Sequence, residues 1–312
     1  MVEITLTPNQ ANRRFDRFLQ SYLSQAPGSL VHKLIRKKRI KLNGKRAQGN
    51  EITAAGDHVI FYLSPETMQS FMAKASPPPR NWGPVDIVYE DENILLANKP
   101  AGLLTHSDTP GSQDTLVDRL AYYLHEKTDF TPSVCNRLDR NTSGLVACGK
   151  NMAAVQTLNT IFAERKVDKI YLAVVCGHMK AGKKGDLRGY LYKDEKANRS
   201  YIFDEPREDA VAVHTEYECI SVGEDFSVVR IRLHTGKSHQ IRAHFAALGH
   251  PLAGDVKYGS KLMGNKRGQM LHCLSLRFLE VYEGPLAYLS GQEWQAAVPI
   301  AFDDLAKPFL QK

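Results

Sequence analysis

The sequence predicts an α+β protein of two domains, a small α+β module followed by a larger domain in which strands dominate. Three observations carry that reading. Between Arg14 and Leu63, two runs of helical spacing are followed by short alternating segments; three consecutive prolines, Pro77 to Pro79, then break the pattern; beyond them most apolar runs have strand length. With 312 residues, 43% of them hydrophobic and 24% charged, the chain is long enough to bury a core in each part.

In order along the chain, Phe15, Phe18, Leu19, Tyr22 and Leu23 recur as one face of a helix, and Leu30, Leu34 and Ile35 mark a second helix after the turn at Pro27 and Gly28. Ile40 and Leu42 alternate with lysines, Asn43 and Gly44 read as a turn, and Gly56 and Asp57 precede a strand from Val59 to Leu63. The first domain is therefore set at residues 1–64, an extended proline-rich linker at 65–83, and the second domain at 84–312. In the second domain, Asp86 to Asn98 reads as two strands around the turn Asp91, Glu92 and Asn93. Tyr171 to Cys176 and Ser227 to His234 read as strands. Helices are expected at Thr115–Glu126, Ala153–Glu164 and Ser238–Leu248, the last closed by Gly249 and Pro251. The stretch GHMKAGKKGDLRG, Gly177 to Gly189, reads as an exposed loop.

Charge is segregated along the chain. Residues 1–80 hold 13 Lys and Arg against 5 Asp and Glu, a balance of +8, so the remainder is −1 in a chain of net +7. Lys33, Arg36, Lys37, Lys38, Arg39, Lys41, Lys45 and Arg46 form a run without an acid, which suits a polyphosphate partner as well as a solvated face. No stretch approaches the roughly 18 apolar residues of a membrane span, and no secretory leader is evident at MVEITLTPNQ, so a cytoplasmic, non-membrane protein is expected. The five cysteines, Cys135, Cys148, Cys176, Cys219 and Cys273, lie far apart and read as buried thiols. His106 and His244 lack any metal-ligand spacing, and no metal is expected.

The segment NRLDRNTSG, Asn136 to Gly144, places Arg137 and Asp139 on one face if the backbone is extended. Alone, that pattern fits a salt-bridged strand end better than a reactive site, and Thr142, Ser143 and Gly144 read as a turn or cap. Its company is informative: KPAGLLTH (Lys99–His106), KIYLAVV (Lys169–Val175), LHTGKSHQIRAH (Leu233–His244) and GDVKYG (Gly254–Gly259) surround it in fixed order. By themselves, Tyr171 could be a core aromatic and Arg242 a surface residue, since it lies off the stripe of Ile241, Phe245 and Leu248.

Together these motifs, from about Asp86 to Arg277, resemble the large-ribosomal-subunit branch of the RNA pseudouridine synthases, whose signature is H-R-L-D-x-x-T-S-G. RFDRFL, LIRKKRIKLNGK and AGDHV, in that order, resemble the αL-type RNA-binding module found in a small-subunit ribosomal protein. The resemblance implies a catalytic domain built on a mixed, mostly antiparallel sheet. It implies that Asp139 is the essential aspartate, Arg242 its ion-pair partner, Tyr171 a ring that stacks on the target uracil, and Arg137 a cation that holds the flipped-out nucleotide. Leu233, Asn136 and His239 fall on the substrate side, with Asn136 standing where the pattern has histidine. Lys33, Arg36, Lys37, Lys38, Arg39 and Lys41 would meet RNA in the small module. Ribosomal RNA is the expected partner, with transfer RNA the alternative, and the enzyme is expected to act as a monomer without a cofactor.

Chemistry accounts for these residue types. Uridine becomes pseudouridine when the N1–C1′ bond breaks, the ring rotates and C5 bonds to C1′, with no redox change. A carboxylate can act as covalent nucleophile if it is ionised, which a neighbouring arginine favours. The uracil must leave its stack to be reached, so an aromatic ring and a cation are needed to receive it. Two rivals remain. Thr235 to Ser238, between a strand and a helix, has the setting of a phosphate loop, but position 231 is Ile231 where that loop needs glycine. A non-catalytic RNA-binding protein would explain the basic run, yet would not need Asp139, Tyr171 and Arg242 together.

Overall fold

The computed structural model describes residues 1–72, 82–107, 114–125, 130–260, 268–280, 283–299 and 302, so Pro77 to Pro79 lie outside the described residues. The chain divides into two compact units, the first carrying the residues up to Met72 and the second most of the chain from Trp82 onward.

In the first unit, both helices form where the apolar spacing places them. Helix α1 (Phe15–Tyr22) buries Phe15, Phe18 and Leu19, and α2 (Gly28–Arg36) buries Val31, Leu34 and Ile35. Four strands, β1 (Val2–Thr5), β2 (Ile40–Leu42), β3 (Lys45–Arg46) and β4 (His58–Phe61), pair antiparallel in the order β1-β4-β2-β3. Asn43 (φ 50) and Gly44 (φ 71) make the two-residue turn from β2 to β3, whose twist matches that of the strands only with both φ positive. The rings of Phe15, Phe18, Tyr22 and Phe61 stack successively through the core. Strand β1 has no counterpart among the sequence expectations; its short alternation, half of it exposed, carries little signal.

A helix, α3 (Pro65–Phe71), replaces the first part of the expected extended linker. Ser64 caps it by accepting from the Thr67 amide at 3.2 Å, Pro65 suits its first turn, and Met68, 2% exposed, joins the core of the first unit. One buried methionine is too sparse a pattern to register as periodicity.

The second unit opens with the hairpin β5 (Asp86–Glu90) and β6 (Ile94–Lys99). It continues through β7 (Ser133–Val134), β8 (Ser143–Gly149), β9 (Val167–Cys176), β10 (Lys184–Asp194), β11 (Arg199–Phe203), β12 (Ala210–Val222), β13 (Phe226–Leu233), β14 (Leu271–Phe278) and β15 (Glu293–Gln295). Among the described residues these eleven strands make one sheet, ordered β11-β10-β12-β13-β9-β14-β8-β6-β5, with β15 on β14 and β7 on β8. Only β8 and β14 run parallel, so the sheet is mixed and mostly antiparallel. Helices α4 (Leu116–Leu124) and α6 (Gln240–Ala247) form within the expected spans, and α5 (Met152–Ala163) starts one residue before its own. Near the middle of the sheet, Tyr171, Ala173 and Val175 of β9 enter the main core, while Leu172 and Val174 face a smaller cluster on the other side. Apolar cover on both faces explains why β9 reads as a continuous hydrophobic run.

Two local expectations are corrected. The segment Gly177–Gly189 is not a loop throughout, because β10 begins at Lys184 and pairs with β12. Its glycines serve close packing: a Cβ on Gly185 would lie 2.3 Å from the Tyr217 ring. And Asn136 to Asn141 is not an extended strand but the irregular link from β7 to β8, so Arg137 and Asp139 share no strand face. Of Thr142, Ser143 and Gly144, only Thr142 belongs to a turn, and β8 starts at Ser143. The cysteines are free thiols; Cys148, Cys219 and Cys273 are buried, Cys135 and Cys176 half-buried, and burial pushes Cys135, Cys148 and Cys273 up to about 12.

Candidate active site

Asp139 sits in a turn closed by the Thr142 amide donating to its carbonyl at 3.0 Å, just before β8. The segment after β6 pins the peptides on both sides of it. Thr105 Oγ1 donates to the Leu138 carbonyl at 2.8 Å, and the Leu138 amide returns to Oγ1 at 3.3 Å. On the other side, the Arg140 carbonyl accepts from the Gly102 amide at 2.9 Å and from Lys99 Nζ at 3.0 Å. Lys99 is fully buried and also donates to the carbonyls of Pro100 (2.9 Å) and Leu103 (2.7 Å). Burial pushes its ammonium down to about 7, against the opposing pull of the Asp139 carboxylate. KPAGLLTH is thus the clamp that fixes the backbone of Asp139.

Helix α6 supplies the countercharge. Arg242, 7% exposed, gives Nε and Nη2 to the two oxygens of Asp255 at 2.6 and 2.8 Å, and Nη1 to Asp139 Oδ2 at 3.2 Å. Burial works against its charge, but the hydrogen bond and charge of Asp255, then those of Asp139, outweigh it and raise its pKa. Arg242 is therefore a buried ion-pair partner and not a surface residue. The two pairs join residues 13 and 103 apart in sequence.

His239 precedes α6 in the left-handed region (φ 58, ψ 15). Its Nε2 lies 3.8 Å from Asp139 Oδ2 and its Nδ1 3.1 Å from Tyr258 Oη. Burial lowers its pKa despite the nearby Asp139, so the ring is neutral. Tyr258 Oη also accepts the Ser200 amide at 2.7 Å, so it joins His239 to the β11 backbone. The Tyr258 ring also lies under the Arg242 guanidinium at 4.9 Å.

Tyr171, on β9 and 6% exposed, lies opposite Cys273 on β14; burial raises its pKa well above the usual tyrosine value, and the charge of Asp139 adds to the shift. Leu233, at the end of β13, shares its core cluster. Arg137 is exposed, and its charge adds to the burial that lowers the His106 pKa. Among the described residues the ion-pair partners of Asp139 are Arg242 and His239, so the salt bridge between Arg137 and Asp139 does not form. Asn136 lends its amide to β8, donating to the Leu145 carbonyl at 3.2 Å and accepting the Ala147 amide at 2.7 Å. That extends the β7 ladder with a side chain and orients the link between the two strands.

The other expectations separate from this site. His244 is buried, with Nδ1 2.9 Å from Thr215 Oγ1. Thr235 to Ser238 closes on itself, with Gln240 Oε1 accepting from Thr235 Oγ1 at 2.9 Å and from the Lys237 amide at 3.2 Å, so no cradle faces a phosphate. In the first unit, Lys33 and Arg36 lie on α2, but Lys37, Lys38 and Arg39 occupy the turn after it, with Lys38 at φ 58; all five are exposed, and half-buried Lys41 lies over the Tyr62 ring at 5.3 Å. Asp255, Tyr258 and Lys99 have no role in the sequence reading. Each stands inside one of the five motifs, and the available signal is a charge set among residues that must be buried, as in ILLANK.

The Asp139 carboxylate is therefore 31% exposed, with one oxygen paired to Arg242. Among the described residues, Oδ1 of Asp139 has no hydrogen-bond donor.

The chain matches the family model described as RNA pseudouridylate synthase over residues 93–247. It is 30% identical to a Bacillus subtilis protein named uncharacterized RNA pseudouridine synthase YlyB, covering 89% of each chain. It is 28% identical to ribosomal large subunit pseudouridine synthase D of Escherichia coli, covering 95% of this chain and 90% of that one. Human RNA pseudouridylate synthase domain containing 1 superposes with TM-score 0.53 at 26% identity, over 73% of this chain and 95% of that one. Human RNA pseudouridylate synthase domain containing 4 has the same fold, with TM-score 0.57 at 20% identity over 71% and 92%.

Proposed function

This chain belongs to the RNA pseudouridylate synthase family and is an isomerase that converts uridine in RNA to pseudouridine; on that premise we propose that Asp139 is its nucleophile and that large-subunit ribosomal RNA is its substrate. The observation that carries the first part is the Asp139–Arg242–Asp255 arrangement. Arg242 pairs with Asp139 through Nη1 alone, while Asp255 takes its Nε and Nη2, so Oδ1 of Asp139 stands open for attack. Attack at ring carbon C6 or sugar carbon C1′ makes the same demand on this carboxylate. The intermediate it forms divides one difficult substitution into easier steps, after which C5 replaces N1 at C1′.

The remaining roles answer the demands of an extruded base. Tyr171 supplies the ring on which the uracil stacks, Leu233 shapes the apolar wall beside it, and His239 lines the site next to the paired oxygen. Exposed Arg137 meets the nucleotide's phosphate, and Asn136 acts by orienting the link that bears both Arg137 and Asp139. In the first unit, Lys33, Arg36, Lys37, Lys38, Arg39 and Lys41 bind the RNA backbone. The substrate assignment rests on relatives named ribosomal large subunit pseudouridine synthases C and D. With that substrate, the enzyme works in the cytoplasm.

The test is Asp139→Asn assayed on ribosomal RNA, with pseudouridine mapping of host RNAs with and without the gene. Loss of turnover with RNA affinity within about threefold is expected, because the substitution removes a nucleophile and keeps the shape. Retained turnover would sink the mechanism, and loss of pseudouridine from transfer RNA alone would replace the substrate.

A further inference from the structure

The Tyr258 side of the candidate site carries two cations to which the isomerisation assigns no role. Arg199 opens β11, and the ladder sets it opposite Asp194 of β10. Opposite charges so placed across two strands ordinarily pair. These do not: Asp194 Oδ1 accepts the Ala197 amide at 3.0 Å, and the Arg199 guanidinium lies instead over the rings of Tyr201 at 5.3 Å and Tyr258 at 5.0 Å. Glu195, the next acid of the hairpin, is taken by Lys193 at 2.8 Å. Arg199 is half-buried, its Nε is covered without a hydrogen bond, and among the described residues it has no ion-pair partner. Lys257 stands beside it. The turn Val256–Tyr258 leaves Lys257 exposed, and its Nζ donates to the carbonyl of Asn198, the residue before Arg199, at 3.0 Å. Its charge also reaches His239, whose ring borders Asp139.

A guanidinium held by rings alone keeps its charge unneutralised, at a desolvation cost that a bound anion offsets. Its place identifies the anion. The Tyr258 ring that carries Arg199 also lies under Arg242 at 4.9 Å, and Arg242 pairs with Asp139. A uridine within RNA arrives with a phosphate on each side, and extruding its base means holding the backbone while the stack opens. Arg137, on the link before Asp139, meets one of these phosphates in the reading given above. The Tyr258 side needs its own cation. Tyr201, 38% exposed, adds an aromatic ring, and cations beside exposed rings are how proteins grip single strands: the charges follow the phosphates and the rings take the bases.

We propose that Arg199 and Lys257 bind the phosphate that joins the target uridine to its neighbour, and that the neighbouring base stacks on Tyr201. The inference rests on the reading that Asp139 receives the uridine. Arg199 supplies a planar fork matched to phosphate oxygens, and Lys257 a flexible point charge next to it. The pair is silent in the sequence, because Arg199 in EKANRSY and Lys257 in GDVKYG meet only when the edge strand β11 packs against the Val256–Tyr258 turn.

The experiment uses the full chain and total RNA from host cells lacking its gene, which holds the unmodified target whichever RNA carries it. Pseudouridine formation at the affected position is followed against RNA concentration and against salt. In Arg199→Gln, kcat/KM should fall about 10-fold or more through KM, and the slope of log kcat/KM against log salt should shrink by about 0.7. Lys257→Gln should flatten the slope similarly, Arg199→Lys should regain it because the charge returns, and Tyr201→Leu should raise KM with the slope unchanged. If Arg199 merely props the Tyr258 ring, Tm or kcat will fall while the slope stays, and that result would overturn the proposal. Should Arg199→Gln fail to fold, exposed Lys257→Gln decides, and an unchanged slope there overturns it equally. Asp139 is intact in every variant, so an error in its assignment shows in Asp139→Asn alone and leaves these slopes readable.

Discussion

At the scale of single residues, the proposed chemistry turns on how Arg242 divides its donors. A guanidinium facing one carboxylate would pair with both of its oxygens and close the nucleophile off. Asp255, 2% exposed, occupies Nε and Nη2, so Asp139 receives only Nη1. In Asp255→Asn the second charge is gone, Arg242 turns toward Asp139, and the free oxygen is engaged. A misplacement of about 1 Å costs on the order of 10²-fold, so kcat should fall by about that factor with KM changed less than a few-fold. Steady-state kinetics on the modified RNA would check it; a rise in KM at unchanged kcat would mean that Asp255 supports binding instead. Asp139, Tyr171 and Arg242 are legible as residues because each stands in a motif. Asp255 is not, since nothing in GDVKYG reveals which of its charges is buried or that α6 delivers a guanidinium to it.

At the scale of elements, Gly144 joins the Asp139 turn to the sheet. It has φ 110, and a Cβ there would lie 2.2 Å from the Cys273 carbonyl oxygen, where β8 and β14 make their brief parallel pairing. Both conditions require glycine. Gly144→Ala should therefore destabilise the second unit by about 3 kcal/mol or more, from backbone strain plus the forced separation of β8 and β14. Chemical denaturation would measure it, and an unchanged midpoint would show that the strands give way freely. In the sequence, Thr142, Ser143 and Gly144 read as a turn, and Gly185 and Gly189 as loop glycines, for one reason. A glycine that ends a strand and a glycine that lets another residue press against a strand look alike until the partner is known, here Cys273 or Tyr217. The strongly periodic elements α1, α2 and α4, by contrast, depend on their own residues and form where the spacing places them.

At the scale of the whole molecule, the charge is divided as the labour is. The proposed nucleophile and its arginine lie in the second unit, within a stretch whose charges nearly cancel, whereas the excess of +8 lies in residues 1–80. Lys37, Lys38 and Arg39 are exposed in the turn after α2 and contribute nothing to the core of the first unit, so replacing all three with Gln removes charge and leaves the fold. If each contacts a phosphate, the slope of log affinity against log salt should shrink by about 0.7 to 0.9 per residue, or roughly 2 to 3 for the triple variant. Affinity for RNA would fall at low salt, while kcat at saturating RNA would hold, because the Asp139 machinery is untouched. The measurement is binding to substrate RNA across a salt series, paired with turnover. An unchanged slope would free these three residues from RNA contact, and a lower kcat would mean that the first unit also helps present the uridine to Asp139.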